Sequence, residues 1–221
     1  MSVSSNNYSF SSLKGTSKVQ TGQIRFLSSK VSLVLSAPEA DFIDELVKKI
    51  FDRRLVSFAK LTLVPKSFEV IADPDFNTQM KYVCISPMVP QEAFLADESG
   101  NLPEPLDPRS QEFSDMFYDA ILDRMEKAGF TEDQISKFAE FEIIPDPTYI
   151  QKIADTHKKF ARIYKNNLNQ TIYGYLLPFT LHAHPQVQKF IWECGIGLFT
   201  TQGYGMVDIV GGTAPEAESE N

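Results

Sequence analysis

Three histidines are the side chains of this sequence best suited to proton transfer. They are His157, His182 and His184, and no other position of the 221-residue chain holds one. Histidine changes protonation near neutral pH, so it suits acid–base chemistry. No third ligand lies at metal spacing beside His182 and His184, so we predict neither a zinc site nor any other cofactor. His184 is open to two interpretations, as an acid–base group or as the cap of a following helix; His157 could be structural or could contact phosphate.

The densest run of cations follows His157. It contains Lys158, Lys159, Arg162 and Lys165, interleaved with Phe160 and Tyr164. If residues 158–162 form a strand, Lys158, Phe160 and Arg162 share one face. Such a face is typical of phosphate contact beside a stacking ring, and equally of a solvated edge strand.

Four glycines form two G-x-G pairs near the C-terminus, at Gly195, Gly197, Gly203 and Gly205. Glycine permits positive φ and close backbone approach, so loop N–H groups could face phosphate oxygens. Residues 185–194 read as a helix with Pro185 in its first turn, and residues 206–210 read as a strand. A dinucleotide fingerprint or a P-loop needs strand, glycine loop and helix, in that order. Here the order is helix, loop, strand, which excludes both. We call residues 195–206 the glycine loop.

The glycine loop resembles that of the CRISPR-associated repeat-processing endoribonucleases, in the repeat-associated RNA-binding superfamily. Their loop reads G-x-G, a short polar stretch, then G-[FY]-G-M-V. Two further segments resemble the same family in the same order: Y-S-F-S-S-L-K at residues 8–14, here the N-terminal motif, and I-S-P-M at residues 85–88, here the Ser-Pro motif. The resemblance spans residues 8–210, nearly the whole chain.

The resemblance implies an α+β fold of two tandem ferredoxin-like domains and metal-independent cleavage of CRISPR repeat RNA to 2′,3′-cyclic phosphate and 5′-hydroxyl ends. It implies repeat RNA, other CRISPR-associated proteins and a second copy of the chain as partners. The RNA-binding residues would be the four glycines with Tyr204, Lys158, Lys159 and Arg162. No catalytic residue is assigned; Tyr8, Lys14, Lys18 and His157 are the candidates.

Two departures from the family pattern bear on activity. In the family, a strand and a helix that carry the usual catalytic histidine precede the N-terminal motif, whereas here Tyr8 lies near residue 1. We therefore expect an incomplete first domain that binds RNA but cleaves it slowly. The glycine loop also lacks the family's acidic–basic pair, because residues 198–202 read L-F-T-T-Q. Replacing Gly203 or Gly205 with Val is expected to abolish RNA binding and to spare the fold.

The net charge of −8 argues against a polyanion as partner, but the charge is segregated. Residues 1–30 carry four cations and no acid, and residues 147–207 carry six cations and two acids. Residues 92–146 hold fifteen acids and four cations, as a solvated surface would. A segregated field can guide RNA towards the basic segments. Cys84 and Cys194 read as buried thiols of a cytoplasmic protein, and no segment reads as a secretory signal or a membrane span.

Periodicity and turn signals divide the chain into residues 1–87, residues 88–210 and a disordered tail at residues 211–221. Strands are predicted at residues 30–36, 56–64, 67–72, 82–85, 141–144, 149–161, 172–181 and 206–210. Helices are predicted after a capping box at Ser36 and Glu39, around residues 113–125 before Gly129, from Thr131, and at 185–194. Two other functions remain open: an RNA-binding subunit without catalysis, and a ferredoxin-like module that binds proteins.

Overall fold

The C-terminal part of the chain forms a four-stranded antiparallel sheet. The structure is a computed structural model that describes residues 7–20, 23–58, 60–90, 98–101 and 104–211. In spatial order, its strands are β12 (Val207–Ile209), β7 (Gln79–Cys84), β11 (Pro178–Ala183) and β8 (Phe141–Pro145). Two helices, α2 (Gln111–Lys127) and α5 (Pro185–Cys194), follow β7 and β11. The sequence β7-α2-β8-β11-α5-β12, with the last strand beside the first, is the ferredoxin-like arrangement.

The core lies between this sheet and its two helices. Alternate residues of each strand face the helices, as period-2 side-chain geometry requires. The fully buried residues include Tyr82 and Leu181 of the sheet, Phe113 and Phe117 of α2, and Ile191 of α5. Each of the Phe, Leu and Ile side chains among them stabilises the fold by about 1.5–3 kcal/mol through burial. Within the described residues no helix is long and apolar enough to cross a membrane.

The N-terminal part contains short paired strands around a single long helix, among the residues described. Strand β1 (Ser9–Phe10) pairs with β4 (Leu35–Ser36), β2 (Ser17–Gln20) with β3 (Gln23–Phe26), and β5 (Val56–Phe58) with β6 (Leu61–Leu63). Helix α1 (Ala40–Asp52) has no fully buried residue. Its N-cap is Glu39, and Ser36 lies in β4, so the predicted capping box is wrong.

An insertion of one helix and a β-hairpin separates β8 from β11. Helix α4 (Pro147–Asp155) precedes the hairpin of β9 (Ala161–Lys165) and β10 (Thr171–Tyr175), and a short helix α3 (Glu132–Ile135) lies between α2 and β8. The strand predicted at residues 149–161 is therefore wrong, and the strand predicted at 172–181 is two strands. Residues 67–72 are described and form no strand.

Several predicted boundaries are confirmed. Thr131 caps α3 with a capping box, Gly129 follows α2 with φ 97°, and Pro185 begins α5. Strand β7 lies before the predicted domain boundary at residue 87 but pairs with β11 and β12. The division at 87 stays a prediction, and residues 212–221 of the predicted tail lie outside the described residues.

Candidate nucleic-acid interface

The Ser-Pro motif and the glycine loop are joined by backbone hydrogen bonds. The N–H of Gly205 donates to the carbonyl oxygen of Pro87 at 2.7 Å. The N–H of Met206 donates to Ser86 Oγ at 2.8 Å, and both residues are buried. Because these bonds tie the end of β7 to the start of β12, the loop is part of the sheet's edge rather than a free excursion.

The N-terminal motif packs on the other side of the glycine loop, against a 3₁₀ turn at Thr200–Gln202. Tyr8 Oη donates to the carbonyl oxygen of Thr201 at 3.3 Å. The ring of Phe10 lies over Gly203, where an added Cβ would meet a ring carbon at 2.8 Å. The Tyr8 ring packs on Phe42 of α1, with centroids 5.4 Å apart. The N-terminal motif and the Ser-Pro motif, which are far apart in sequence, therefore both contact the glycine loop.

The β9–β10 hairpin is the third segment that contacts the glycine loop. Tyr204 Oη donates to the carbonyl oxygen of Lys165 at 2.8 Å, and the N–H of Asn167 donates to Gln202 Oε1 at 3.1 Å. Burial raises the pKa of Tyr204, so its hydroxyl stays protonated and acts as a donor. Tyr204 is buried, with its ring edge-on to that of Tyr164. The basic run and the glycine loop are thus neighbours in space.

All four loop glycines have positive φ, between 68° and 88°. A Cβ on Gly197 would lie 2.2 Å from the carbonyl oxygen of Val89, and one on Gly205 would lie 2.0 Å from that of Ile196. Glycine is required there because the protein's own backbone passes so close. Many loop amides, those of residues 195, 196, 198 and 202–206, already donate within the protein. The assignment of these glycines to RNA contact stays a prediction.

Arg124 of α2 holds the glycine loop, and the residue just before it, through four side-chain hydrogen bonds. Its Nη1 donates to the carbonyl oxygens of Gly195 at 2.8 Å and Gly197 at 3.0 Å. Its Nη2 donates to the carbonyl oxygen of Cys194 at 2.6 Å and lies 3.3 Å from Thr200 Oγ1. Sequence reasoning missed this residue. The available signal was its spacing, because Arg124 lies three residues after Ile121 and seven after Phe117, on the apolar face of the helix.

Comparison with known proteins identifies the family. Residues 69–209 match the family model described as CRISPR associated protein Cas6, C-terminal. This chain belongs to that family. No curated protein matches the sequence significantly.

Solved structures share the fold at low sequence identity. The product of a Cas6-related gene from Pyrococcus furiosus superposes with a TM-score of 0.74 at 20% identity, covering 92% of this chain and 78% of the other. An RAMP protein that binds different RNA substrates gives a TM-score of 0.71 at 20% identity, covering 92% and 79%. The α+β, ferredoxin-like fold is confirmed.

His182 and His184 lie away from the glycine loop, and His184 also caps a helix. His184 is the N-cap of α5, accepting from the N–H of Gln186, whereas the loop follows the other end of that helix, about 15 Å away at 1.5 Å per residue. His182 pairs with Gln79, at the end of β7 far from the Ser-Pro motif. The capping interpretation of His184 is confirmed.

His157 ends α4 in a left-handed conformation, with φ 50°. Its N–H donates to the carbonyl oxygen of Ala154 at 3.1 Å, and the N–H of Lys158 donates to that of Ile153 at 3.2 Å. These two bonds form a Schellman motif, which supports the structural interpretation of His157. The predicted strand face of Lys158, Phe160 and Arg162 is wrong, because β9 begins at Ala161.

The remaining predicted cations are spread over separate surface segments. Lys158 and Lys159 are exposed in the turn before β9, and Arg162 is exposed on β9 itself. The backbone of Lys14 forms an isolated antiparallel β-bridge with Ser32, just after β1, and Lys18 is exposed on β2. No group of histidine, cysteine and carboxylate side chains in the described part of the chain could hold a metal ion.

Both cysteines are free and buried, as predicted. Burial raises the pKa of the Cys84 thiol to about 12, and burial likewise raises that of Cys194 to about 12. At neutral pH both are therefore uncharged thiols and poor nucleophiles. They contribute to packing, not to the chemistry of the site.

The Ser86 hydroxyl is expected to be necessary for the stability of this junction. Ser86→Ala would leave the buried N–H of Met206 without its acceptor, at a cost of about 1–3 kcal/mol. For a chain of this size, this lowers Tm by about 3–10 °C. Thermal unfolding followed by circular dichroism measures the shift. Ser12→Ala, at an exposed position, is the control; equal Tm values for the two variants would contradict the prediction.

Proposed function

We propose that the chain binds CRISPR repeat RNA across the glycine loop and takes part in its endoribonucleolytic processing. The observation that supports this most is the convergence of the N-terminal motif, the Ser-Pro motif and the glycine loop at one place. Members of the matched family are nucleases of CRISPR systems, which makes repeat RNA the expected substrate. The cations of residues 14–30 and of the β9–β10 hairpin would provide the phosphate contacts.

The cleavage we propose needs no metal ion. The 2′-oxygen attacks the adjacent phosphorus, the bond from phosphorus to the 5′-oxygen breaks, and a 2′,3′-cyclic phosphate and a 5′-hydroxyl result. A base must accept the 2′ proton, an acid must protonate the 5′-oxygen, and cations must stabilise the phosphorane. Tyr8 and Lys14, in the N-terminal motif, are the candidates, and Tyr8 bonds to the loop at Thr201.

A second function, RNA binding with little cleavage, is favoured by the positions of the histidines. His182 lies on β11 opposite Gln79, at the end of β7 far from the Ser-Pro motif. His184 caps the end of α5 far from the loop, and His157 is held in a helix-ending turn. RNA binding is common to both proposals, so it is the property to test first.

The ribbon formed by β2 and β3 is our proposed phosphate contact outside the loop. Lys18 lies directly opposite Arg25 in the strand register, and both are exposed. Like charges directly opposite each other destabilise a ribbon, and a bound phosphate would relieve that repulsion. Together with Val19, Gln20 and Leu27 they line a shallow groove of about 450 Å³.

Binding of repeat RNA is expected to weaken steeply with salt. If about four phosphates are neutralised, the slope of log K against log salt is about −3 for a single strand. Lys18→Gln combined with Arg25→Gln should reduce the slope to about −1.5, because two contacts are lost. Fluorescence anisotropy over a salt series measures both.

The control for this test removes the same charge from the acidic part of the chain. Lys127→Gln combined with Lys137→Gln should leave the slope near −3. Absence of binding at low salt would refute the RNA-binding proposal. An unchanged slope in the Lys18 and Arg25 variant would refute only the role of the ribbon.

A further inference from the structure

Arg124 is a half-buried cation whose guanidinium group is compensated by carbonyl oxygens. No salt bridge joins it to an acidic side chain within the described ranges; its partners are Cys194, Gly195, Gly197 and Thr200. Burial lowers the pKa of its guanidinium group, and the ring of Phe190 lies 5.3 Å from the guanidinium carbon. A charge removed from water is costly unless its environment compensates it. The carbonyls at the C-terminus of α5 carry partial negative charge and provide that compensation.

The guanidinium group fixes the orientation of two peptide planes in the loop. In a planar trans peptide, the C=O of one residue and the N–H of the next point in opposite directions. The C=O of Gly195 points to Arg124, and the N–H of Ile196 points away to the carbonyl oxygen of Gly205 at 2.7 Å. Each side of this peptide is therefore bonded to a different part of the protein.

The second peptide plane repeats the arrangement. The C=O of Gly197 points to Arg124, and the N–H of Leu198 donates to the carbonyl oxygen of Val89 at 2.8 Å. The planar fork of arginine presents several donors in fixed directions, which an ammonium group cannot do. Removing the fork would leave each plane held only by the hydrogen bond of its N–H, and glycine itself imposes little conformational preference.

We propose that Arg124 is a positioning residue that holds the glycine loop in its RNA-binding shape. The inference rests on the proposed function of the loop. Residues 198–202 carry no charge, so the loop must recognise RNA through its backbone shape and hydroxyl groups. Its half-buried positions, 198, 199 and 201–203, are presented by the two peptide planes that Arg124 fixes. The loop's binding surface thus depends on a side chain 70 residues away in α2.

The test compares two Arg124 variants with a charge-matched control on the same helix. Arg124→Met removes the fork and its charge, and Arg124→Lys keeps the charge without the fork. Lys127→Met removes one exposed positive charge from α2 and leaves the loop contacts in place. Hydrogen exchange of peptides covering residues 195–206 reports the loop, with β11 as the internal reference. Anisotropy with repeat RNA reports affinity in the same samples.

We expect loop protection to fall at least about tenfold in Arg124→Met while β11 stays protected, and Kd to rise at least about tenfold. Arg124→Lys should fall in between, and Lys127→Met should match the wild type. Unchanged RNA affinity in a variant with lost loop protection would overturn the proposal, as would unchanged protection. If Arg124→Met does not fold, Arg124→Lys alone decides by the same two readouts. Failure of the wild type to bind RNA would instead refute the proposed function.

Discussion

Replacing Gly205 with Ala is expected to destabilise the whole C-terminal sheet, not only RNA binding. The new Cβ would lie 2.0 Å from the carbonyl oxygen of Ile196 and 3.0 Å from its carbon, at φ 68°. The left-handed conformation costs about 1–2 kcal/mol, and forced overpacking costs about 1–3 kcal/mol more. Against a total stability of about 5–15 kcal/mol, this is a large fraction. Thermal unfolding should show Tm lowered by about 5–20 °C.

Two other glycines separate the causes of this loss. Gly100 has φ 82° and nothing within 4 Å of an added Cβ, so Gly100→Ala measures the backbone conformation alone. At Gly203 the added Cβ meets only the edge of the Phe10 ring, which can move. Gly203→Ala should therefore fold, and its RNA affinity tests the loop surface. Equal Tm values for Gly205→Ala and Gly100→Ala would show that the loop absorbs the clash.

This expectation differs from the one that the sequence supports for the same glycines. From the sequence, Gly203 and Gly205 are equivalent, and the fold survives replacement of either. The difference between them is what lies beside each one: a side chain at Gly203 and a backbone carbonyl at Gly205. That neighbour belongs to a segment nine residues earlier, and spacing alone does not predict such close approach.

The helix and the loop at the centre of the site can be predicted from apolar spacing and from local proline and glycine signals. Pro185 and the apolar spacing after it predict α5, and the glycine pairs predict a loop before the last strand; both are confirmed. The order of helix, loop and strand follows from these two signals. The contacts of Arg124 and of the β9–β10 hairpin with the loop depend on tertiary packing, which single-sequence patterns do not encode.

The wrong strand at residues 149–161 has an identifiable local cause. Asp146 followed by Pro147 is a helix start, with the Asp146 side chain accepting from the N–H of Tyr149. The apolar positions Tyr149, Ile150 and Ile153 fit one helical face. The basic residues that follow are typical of a strand that contacts nucleic acid, and they favour a strand prediction over this segment. The Asp-Pro start and the apolar spacing together predict a helix, which is what the structure contains. The helix ends where His157 adopts positive φ.

Cleavage of repeat RNA by the 221-residue chain is expected to be slow. His182 and His184 lie away from the glycine loop, His157 is held in the turn that ends α4, and residues 7–58 contain no histidine. Losing a positioned acid–base group costs about 10²–10⁴-fold in rate. The remaining rate would rest on Tyr8 and Lys14 orienting the phosphate, with Lys18 as a more remote cation. Single-turnover cleavage in the presence of EDTA, with RNA at saturating protein, measures the rate of the chemical step.

The pH dependence identifies which group contributes to that rate. A histidine that acts as acid or base would give an inflection near pH 6–7, since its ordinary pKa is about 6.5. We expect no such inflection, and a further loss of rate in Tyr8→Phe, because that change removes the hydroxyl that bonds to Thr201. His157→Gln is the matched control and should leave the rate unchanged. Fast, EDTA-resistant cleavage that is lost in His157→Gln would contradict this account and would make His157 the catalytic group.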